Sequence, residues 1–327
     1  MKPSILIIAD FPNWAYYEIQ QFVKNNVSDE FDIYCDYLIF NTLKKSKHPI
    51  RRLKTFQKKL KYQQIKKDNN YDIVVYLGFY FDELMKINWD SKKIIKGIYT
   101  DGFPPKNSKG INNFHDFNLT YLQKTDAIVC GSQQILNCYK KKFKNAFYAN
   151  SALNQTLFKR ETIKSINTKE EFIIGWTGNP KREFKGYYSH IIPAVNLAKK
   201  KYPKIKLKSR FSGPIETLPH FYNDTDVIII ASEYDAGPSM FGEASLMDVP
   251  AISTDIGWPH EVIKDGKNGV IVKRDIQQIA NKIIALYENR ELLYTMSKQI
   301  RKDYLTIFNT QEIAQNWKNI FNEVLRK

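Results

Sequence analysis

A short arc of the chain, from Ile230 to Val272, combines two carboxylates with a turn that opens a predicted helix. Asp235 and Glu243 have seven residues between them, and a Gly-Pro-Ser turn occupies 237–239. Backbone N–H groups at a helix start, together with the positive end of the helix dipole, favour a phosphate. Carboxylates beside such a turn can accept hydrogen bonds from sugar and ribose hydroxyls. The arc therefore predicts a site for a sugar nucleotide.

A second loop, whose side chains could bind a phosphate group, follows the predicted strand Phe172–Gly178. It contains the cations Lys181, Arg182 and Lys185. Cations at a strand end would stabilise the charge that grows on a leaving diphosphate. Taken alone, this loop more readily indicates a basic stretch of surface. Together with the acidic arc, it predicts the second half of a transfer site.

From about residue 172 to 272 the chain resembles the retaining glycosyltransferases of family 4, which have the GT-B architecture. The family pattern is similar to EGGPxxxxEAxxxGxPVVxTxxGGxxExxxxGxNG. The matching text at 235–269 is DAGPSMFGEASLMDVPAISTDIGWPHEVIKDGKNG. Residues 218–227 (LPHFYNDTDV) resemble the family segment that precedes this pattern, and residues 148–158 (YANSALNQTLF) resemble its approach to the linker. The resemblance covers roughly residues 70–305 and is weak before residue 120.

The resemblance implies roles for individual residues. Asp235 stands where the family has a glutamate that contacts the transferred sugar, and Glu243 would bind the donor ribose. Lys185 matches the cation before glycine, Arg182 would be its partner, and Asp101 would orient the acceptor hydroxyl unless it only caps a turn. The predicted catalytic residues are Asp235, Arg182, Lys185 and Asp101. The predicted donor-binding residues are Glu243, Gly237, Pro238, Ser239, Met240, Gly178, Asn179 and Gly213.

Three positions depart from the family pattern. Asp235 is one methylene shorter than the usual glutamate, so its reach to the sugar differs. The first half has Asp10-Phe-Pro-Asn13-Trp14 where a glycine-rich turn is common. The usual His-Asp pair appears as Thr100-Asp101.

Eleven short apolar runs, separated by helical patterns, must position these residues. Most runs are continuous rather than alternating, which is typical of parallel strands covered on both faces. This predicts an α/β protein of GT-B architecture, with two Rossmann-like doubly wound domains facing a central cleft. The predicted strands are Ser4–Ala9, Phe31–Tyr37, Ile73–Leu77, Ile94–Thr100, Ala127–Gly131, Ala146–Tyr148, Phe172–Gly178, Ile205–Ser209, Val227–Ile230, Ala251–Thr254 and Gly269–Val272.

The polar segment 157–171 lacks apolar periodicity and predicts a linker. It would join an N-terminal, acceptor-side domain (1–156) to a nucleotide-sugar-binding domain (172–305). The remaining segment, 306–327, contains a helical apolar stripe. We expect this helix to pack back toward the N-terminal domain.

Charge is distributed unevenly along the chain, whose 50 Lys and Arg residues against 34 Asp and Glu give a net charge of +16. Between Lys44 and Lys67 there are eleven basic residues and no acidic one. Such a segment attracts anionic membranes, nucleic acids or phosphorylated ligands, or is simply a solvated face. Leu53, Phe56 and Leu60 form a helical stripe among these cations, as in an interfacial helix.

The chain has no GxGxxG, Walker, HExxH or CxxC motif, so nicotinamide, ATP and zinc chemistry have no sequence support. We expect a metal-independent hexosyl- or related glycosyltransferase. It would use a nucleoside-diphosphate sugar and no cofactor, retain anomeric configuration, and act on a glycan or lipid-linked acceptor. The expected location is the cytoplasm, at the inner face of the membrane. Alternatives are a glycosyltransferase that modifies DNA, a non-catalytic sugar-nucleotide or glycan-binding protein, and a nucleotide-sugar epimerase.

Overall fold

The structure is a computed structural model that describes residues 1–42, 47–89, 91–100, 102–105, 108, 110–160 and 171–326. Its contacts divide the chain into two compact units. Unit 1 comprises Met1–Ala152 and Thr310–Lys327, and unit 2 comprises Leu153–Asn309. No helix in the described part of the chain combines the length and the apolar character needed to cross a membrane.

Unit 1 is built on a six-stranded parallel sheet, in which the strands Ser4–Ala9, Ile73–Tyr76 and Ala127–Cys130 are wholly buried. The strands are β1 (Ser4–Ala9), β2 (Asp32–Tyr37), β3 (Ile73–Tyr76), β4 (Lys93–Ile98), β5 (Ala127–Cys130) and β6 (Ala146–Tyr148), in the order β2-β1-β3-β4-β5-β6. Its first helices are α1 (Ala15–Val27), α2 (Leu38–Thr42), α3 (Pro49–Tyr62), α4 (Phe81–Met85), α5 (Phe114–Phe117) and α6 (Gln133–Tyr139).

Unit 2 contains a five-stranded parallel sheet. The strands are β7 (Phe172–Thr177), β8 (Ile205–Arg210), β9 (Val227–Ile230), β10 (Ala251–Thr254) and β11 (Val270–Val272), in the order β11-β10-β9-β7-β8. The helices are α7 (Ile192–Lys201), α8 (Leu218–Asn223), α9 (Ser239–Leu246), α10 (Gly257–Val262), α11 (Ile276–Glu288) and α12 (Arg290–Ile307).

The last helix, α13 (Thr310–Leu325), belongs to unit 1 and packs on α1. Its apolar stripe is buried at Ile313, Trp317, Ile320, Phe321 and Val324. The Trp317 indole N–H donates to the carbonyl of Asn150 at 2.8 Å. The helix is therefore part of the core of unit 1 and not an appendage.

The α/β class and the parallel sheets are confirmed, and each predicted strand occurs within two residues of its predicted limits. The apolar spacing also predicts the helices Trp14–Val23, Ser132–Phe143, Ser189–Lys201 and Ile276–Glu288. Three of them differ in the structure, and the first extends to Val27. The one expected to run to Phe143 ends at Tyr139, where a run of lysines begins. The one expected from Ser189 is a π-helical turn, Tyr187–Ile191, followed by α7. Pro193 has no N–H to donate to the preceding turn, which explains this break.

The change from unit 1 to unit 2 occurs at Leu153, a few residues before the predicted linker at 157–171. Phe158 is buried, and the Arg160 guanidinium donates to the Tyr222 carbonyl at 2.9 Å, both within unit 2. An aromatic side chain at position 158 thus ties the start of that predicted segment to unit 2. Residues 161–170 of the predicted linker lie outside the described residues.

Candidate active site

The predicted donor residues lie at the point in the unit 2 sheet where the strand order reverses. From β7 the chain passes to β8 on one side and then to β9 on the other. In open α/β sheets, ligands bind in the crevice at the carboxyl ends of the strands at such a reversal. The loops after β7 and β9 flank this crevice, and α9 follows the second of them.

These two loops are joined by three different contacts. The Lys185 ammonium lies 2.9 Å from the Asp235 carboxylate, and both side chains are largely buried. The Phe184 and Tyr234 rings stack with centroids 4.6 Å apart and planes at 17°. The Glu233 N–H donates to the Phe184 carbonyl at 2.7 Å. Charge, ring and backbone contacts therefore fix the predicted leaving-group cation beside the predicted sugar-contacting acid.

Gly186 makes this close approach possible. Its φ is +68°, and a Cβ at this position would lie 2.6 Å from the Ala231 carbonyl oxygen at the end of β9. A side chain here would meet both backbone strain and a steric clash. The glycine thus lets the Lys185 turn lie directly on the loop after β9.

Glu243 is buried in α9 and is held by a tyrosine. The Tyr222 hydroxyl donates to Glu243 Oε2 at 2.6 Å and lies 3.3 Å from Thr177 Oγ1 at the end of β7. Burial, followed by the nearby Glu243 charge, raises the pKa of Tyr222 well above its usual value. The tyrosine therefore stays a donor, and it orients the carboxylate predicted to bind ribose hydroxyls.

Sequence reasoning assigned Tyr222 no role. The available signal was indirect: a glutamate in an apolar helix needs a donor, and a tyrosine stands in α8 immediately before β9. The sequence therefore indicates that Glu243 needs a hydrogen-bond donor, but it does not indicate which residue supplies it.

The start of α9 presents backbone rather than side-chain groups. Pro238 precedes the helix and supplies no capping side chain, and Ser239 is its first residue. Gly237 packs against Trp258, where a Cβ would lie 2.3 Å from the indole ring. The Met240 sulfur accepts a hydrogen bond from the Thr177 N–H at 2.9 Å. These contacts fix the helix start beside the end of β7.

The remaining predicted residues lie at the ends of β7 and β8. Gly178 and Gly213 both have positive φ, +145° and +130°. Asn179 Oδ1 accepts from the Lys181 N–H at 3.0 Å, which shapes the turn. Arg182 is exposed and, among the described residues, takes no part in the Lys185–Asp235 pair. Asp101 lies outside the described residues.

Within the ranges that the structure describes, no group of three or more His, Cys, Asp or Glu side chains could hold a metal ion.

Known proteins share the fold of this chain and resemble it over part of unit 2. The profile of the family Glycosyl transferases group 1 matches residues 190–303, a segment that includes α9 and Glu243. Sucrose-phosphate synthase from Thermosynechococcus elongatus superposes with a TM-score of 0.70 at 14% identity, over 99% of this chain and 100% of that one. HepE from Anabaena, solved with UDP-glucose, gives 0.69 at 12% identity, over 98% and 99%. The chain therefore has the GT-B fold, and its residues 190–303 are similar to the group 1 glycosyltransferase domain.

Curated relatives match over shorter segments. Poly(ribitol-phosphate) alpha-N-acetylglucosaminyltransferase from Staphylococcus aureus is 28% identical over 101 residues, which are 30% of this chain and 20% of that protein. The chain spans between 20% and 32% of the length of this and two further curated relatives.

Proposed function

We propose that the protein is a retaining glycosyltransferase of family 4. It moves a hexosyl or related residue from a nucleoside-diphosphate sugar to a hydroxyl of a glycan or lipid-linked acceptor, as in polysaccharide biosynthesis. It needs neither a metal ion nor a cofactor. It works in the cytoplasm, with the basic segment 44–67 at the inner face of the membrane.

One observation carries this proposal: a cation, an acid and a buried glutamate converge at the strand reversal of unit 2. Lys185 lies 2.9 Å from Asp235. Glu243 is held by Tyr222 at 2.6 Å. A nucleoside-diphosphate sugar has the complementary groups, namely ribose hydroxyls for Glu243, a diphosphate for Lys185, and a sugar between them.

In the proposed reaction, the bond between the anomeric carbon and the diphosphate oxygen breaks, and the diphosphate leaves with the bonding electrons. Lys185, Arg182 and the N–H groups at the start of α9 stabilise its charge. The acceptor oxygen, oriented by Asp101, attacks the anomeric carbon from the same face. Its proton passes to the departing diphosphate. Asp235 contacts the sugar as it transfers.

The solved and curated relatives support the choice of substrates. HepE was solved with UDP-glucose, and the Staphylococcus aureus relative is named for N-acetylglucosaminyl transfer to poly(ribitol-phosphate). By analogy we propose a nucleotide-sugar donor, with a uridine nucleotide as the first to test, and a polyhydroxylated acceptor.

The decisive test is donor binding by Glu243→Gln. The amide keeps the size of the side chain but loses the charge that strengthens hydrogen bonds to ribose. We expect donor affinity to fall by about 1–2 kcal/mol while the protein stays folded. Isothermal calorimetry with UDP-, GDP-, ADP-, TDP- and CMP-sugars measures this change.

The matched control is Glu291→Gln on the exposed face of α12, which removes the same charge away from the site. Equal donor affinity for Glu243→Gln and wild type would contradict the proposed role. Donor binding without sugar transfer to any acceptor would instead indicate a non-catalytic binding protein.

A further inference from the structure

Helix α3 (Pro49–Tyr62) is the one long helix of the described residues that buries none of its side chains. It nevertheless carries four large apolar residues, Ile50, Leu53, Phe56 and Leu60, which are 56% to 71% exposed. Single exposed apolar residues are ordinary, but a cluster on one helix marks an interaction surface.

The four apolar side chains share one face of the helix. At about 100° per residue they fall within an arc of roughly 120°. Six cations occupy the remaining arc and border the apolar face on both sides: Arg51, Arg52, Lys54, Lys58, Lys59 and Lys61. No acidic residue occurs anywhere from 44 to 67. One face of the helix is therefore apolar, and the rest of its surface carries positive charge that no acidic residue offsets.

A cavity of about 510 Å³ adjoins the same face. Its lining includes Phe40 of α2 with Leu53 and Phe56 of α3, and also the cations Arg52 and Lys59. Apolar walls beside a guanidinium and an ammonium suit a molecule that has both a hydrocarbon part and an anionic group.

We propose that α3 is the surface by which this protein binds an anionic lipid bilayer. The apolar stripe lies at the level of the upper acyl chains, and the bordering cations contact headgroup phosphates. The cavity between α2 and α3 receives a segment of one lipid chain. This surface would bring the proposed transferase to a lipid-linked acceptor, and its biological role rests on that proposed function. Lipid binding itself needs neither donor nor acceptor.

Charge and shape together favour lipid over nucleic acid. A duplex would pair with the cations but would leave four large apolar side chains in water. A bilayer interface contacts both the apolar face and the cations of the helix, because hydrocarbon lies directly below the headgroup phosphates.

The test is co-sedimentation of the full chain with vesicles of phosphatidylcholine alone and of phosphatidylcholine mixed with phosphatidylglycerol. We expect binding to the anionic vesicles that weakens as salt is raised, and little binding to the neutral ones. Absence of binding to anionic vesicles, or equal binding to both kinds, would overturn the proposal.

Two pairs of variants separate the stripe from the charge. Phe56→Gln with Leu60→Gln should lower vesicle affinity about tenfold or more, because the apolar contact is lost. Leu84→Gln with Leu119→Gln alters two exposed leucines elsewhere in unit 1 and should leave affinity unchanged. Lys58→Gln with Lys61→Gln should lower affinity about tenfold and flatten its salt dependence, whereas Lys140→Gln with Lys141→Gln removes equal charge with little effect.

Equal losses in the control and α3 variants would overturn the proposal. So would tight, salt-sensitive binding of duplex DNA by a protein that ignores vesicles, since α3 would then serve a nucleic acid. Donor affinity, measured on the same variants, should stay at its wild-type value. A wild-type chain that binds donor but not anionic vesicles would refute the lipid surface alone. A wild-type chain that binds anionic vesicles but no donor would refute the transferase alone.

Discussion

At the scale of single residues, the Tyr222–Glu243 hydrogen bond links the two sides of the donor site. The tyrosine hydroxyl lies between Thr177, at the end of β7, and the carboxylate in α9. A carboxylate held in this way has one oxygen fixed, which limits the rotation of the whole group. Tyr222 is therefore a positioning residue in the proposed site.

Tyr222→Phe should weaken donor binding by about 1 kcal/mol, because Glu243 loses a hydrogen bond that orients it. We expect the KM for donor to rise about fivefold while kcat changes little, since the hydroxyl does not touch the reacting atoms. Steady-state kinetics at varied donor concentration measures both constants.

Tyr188→Phe is the matched control, because its ring is exposed and its hydroxyl lies outside these contacts. A fall in kcat with KM unchanged would contradict the positioning role of Tyr222. So would equal effects of the two substitutions.

The sequence predicted part of this site because strand ends are readable from apolar runs. Lys185 and Asp235 were each placed after a predicted strand, and the structure brings them to 2.9 Å. Tyr222 was not predictable in the same way. Its hydrogen bond spans 21 residues and depends on how two helices turn their side chains toward each other.

At the scale of elements, the turn at 183–186 lies on the end of β9 only because residue 186 is glycine. Gly186→Ala adds a methyl group 2.6 Å from the Ala231 carbonyl at a positive φ. We expect a loss of about 2–4 kcal/mol of stability and displacement of Lys185. Thermal unfolding and donor affinity measure the two effects.

Gly266→Ala is the matched control. Gly266 has a similar φ of +75°, but no atom lies within 4 Å of a Cβ there. It should show only the cost of backbone strain, about 1 kcal/mol. An equal loss of stability in both variants would mean that the close approach at Gly186 has no importance.

Asp36 joins three elements of unit 1 through one buried carboxyl group. It accepts from the Tyr37 N–H at 2.6 Å and the Asn41 amide at 3.0 Å, and from the side chain of Gln63 at the end of α3. Burial raises its pKa to about 6, although these bonds and the nearby Lys59 oppose the shift. The folded protein therefore retains this proton at a pH at which the unfolded chain has lost it.

Stability should consequently fall as pH rises from near 4 to above 6, relative to an Asp36→Asn variant that cannot titrate there. The raised pKa corresponds to at most about 3 kcal/mol. Calorimetric unfolding of both proteins near pH 4 and near pH 7 measures the difference. A wild-type protein that gains stability over this interval relative to Asp36→Asn would contradict the shift.

The elements themselves were largely predictable, because continuous apolar runs mark buried parallel strands. The limits of the helices were harder to predict than the strands. The break before α7 follows from Pro193, whose missing N–H is visible in the sequence but whose local consequence, a π-helical turn, depends on packing around Tyr187. The apolar stripe of α3 was predicted, but the lack of any buried side chain in this helix was not.

At the scale of the whole molecule, the core of unit 1 is completed by α13, which is distant in sequence from the other elements of that unit. Trp317→Ala would remove a wholly buried indole and its bond to the Asn150 carbonyl. We expect unit 1 to lose about 3–5 kcal/mol of stability. Donor affinity measured at a temperature where the variant stays folded should not change, because the donor residues lie in unit 2.

Trp14→Ala serves as the control, since its ring is about half exposed. It should cost well under 1 kcal/mol. Calorimetry of both variants tests this difference. Equal destabilisation would indicate that α13 contributes little to the core of unit 1.

The repeated strand–helix pattern and the polar stretch near residue 160 led to the prediction of two domains. In the structure the contacts change from unit 1 to unit 2 at Leu153, and this position depends on where Phe158 and Arg160 pack. Tertiary contacts of single side chains, rather than local composition, decided that limit.

The split composition of unit 1 has a consequence for synthesis on the ribosome. Unit 2 is one continuous segment, Leu153–Asn309, whereas unit 1 needs residues from both Met1–Ala152 and Thr310–Lys327. Domains normally form as they emerge, beginning with the first. In this nascent chain the sheet of unit 1 must wait for a helix that is made after all of unit 2, so unit 2 can complete its core first.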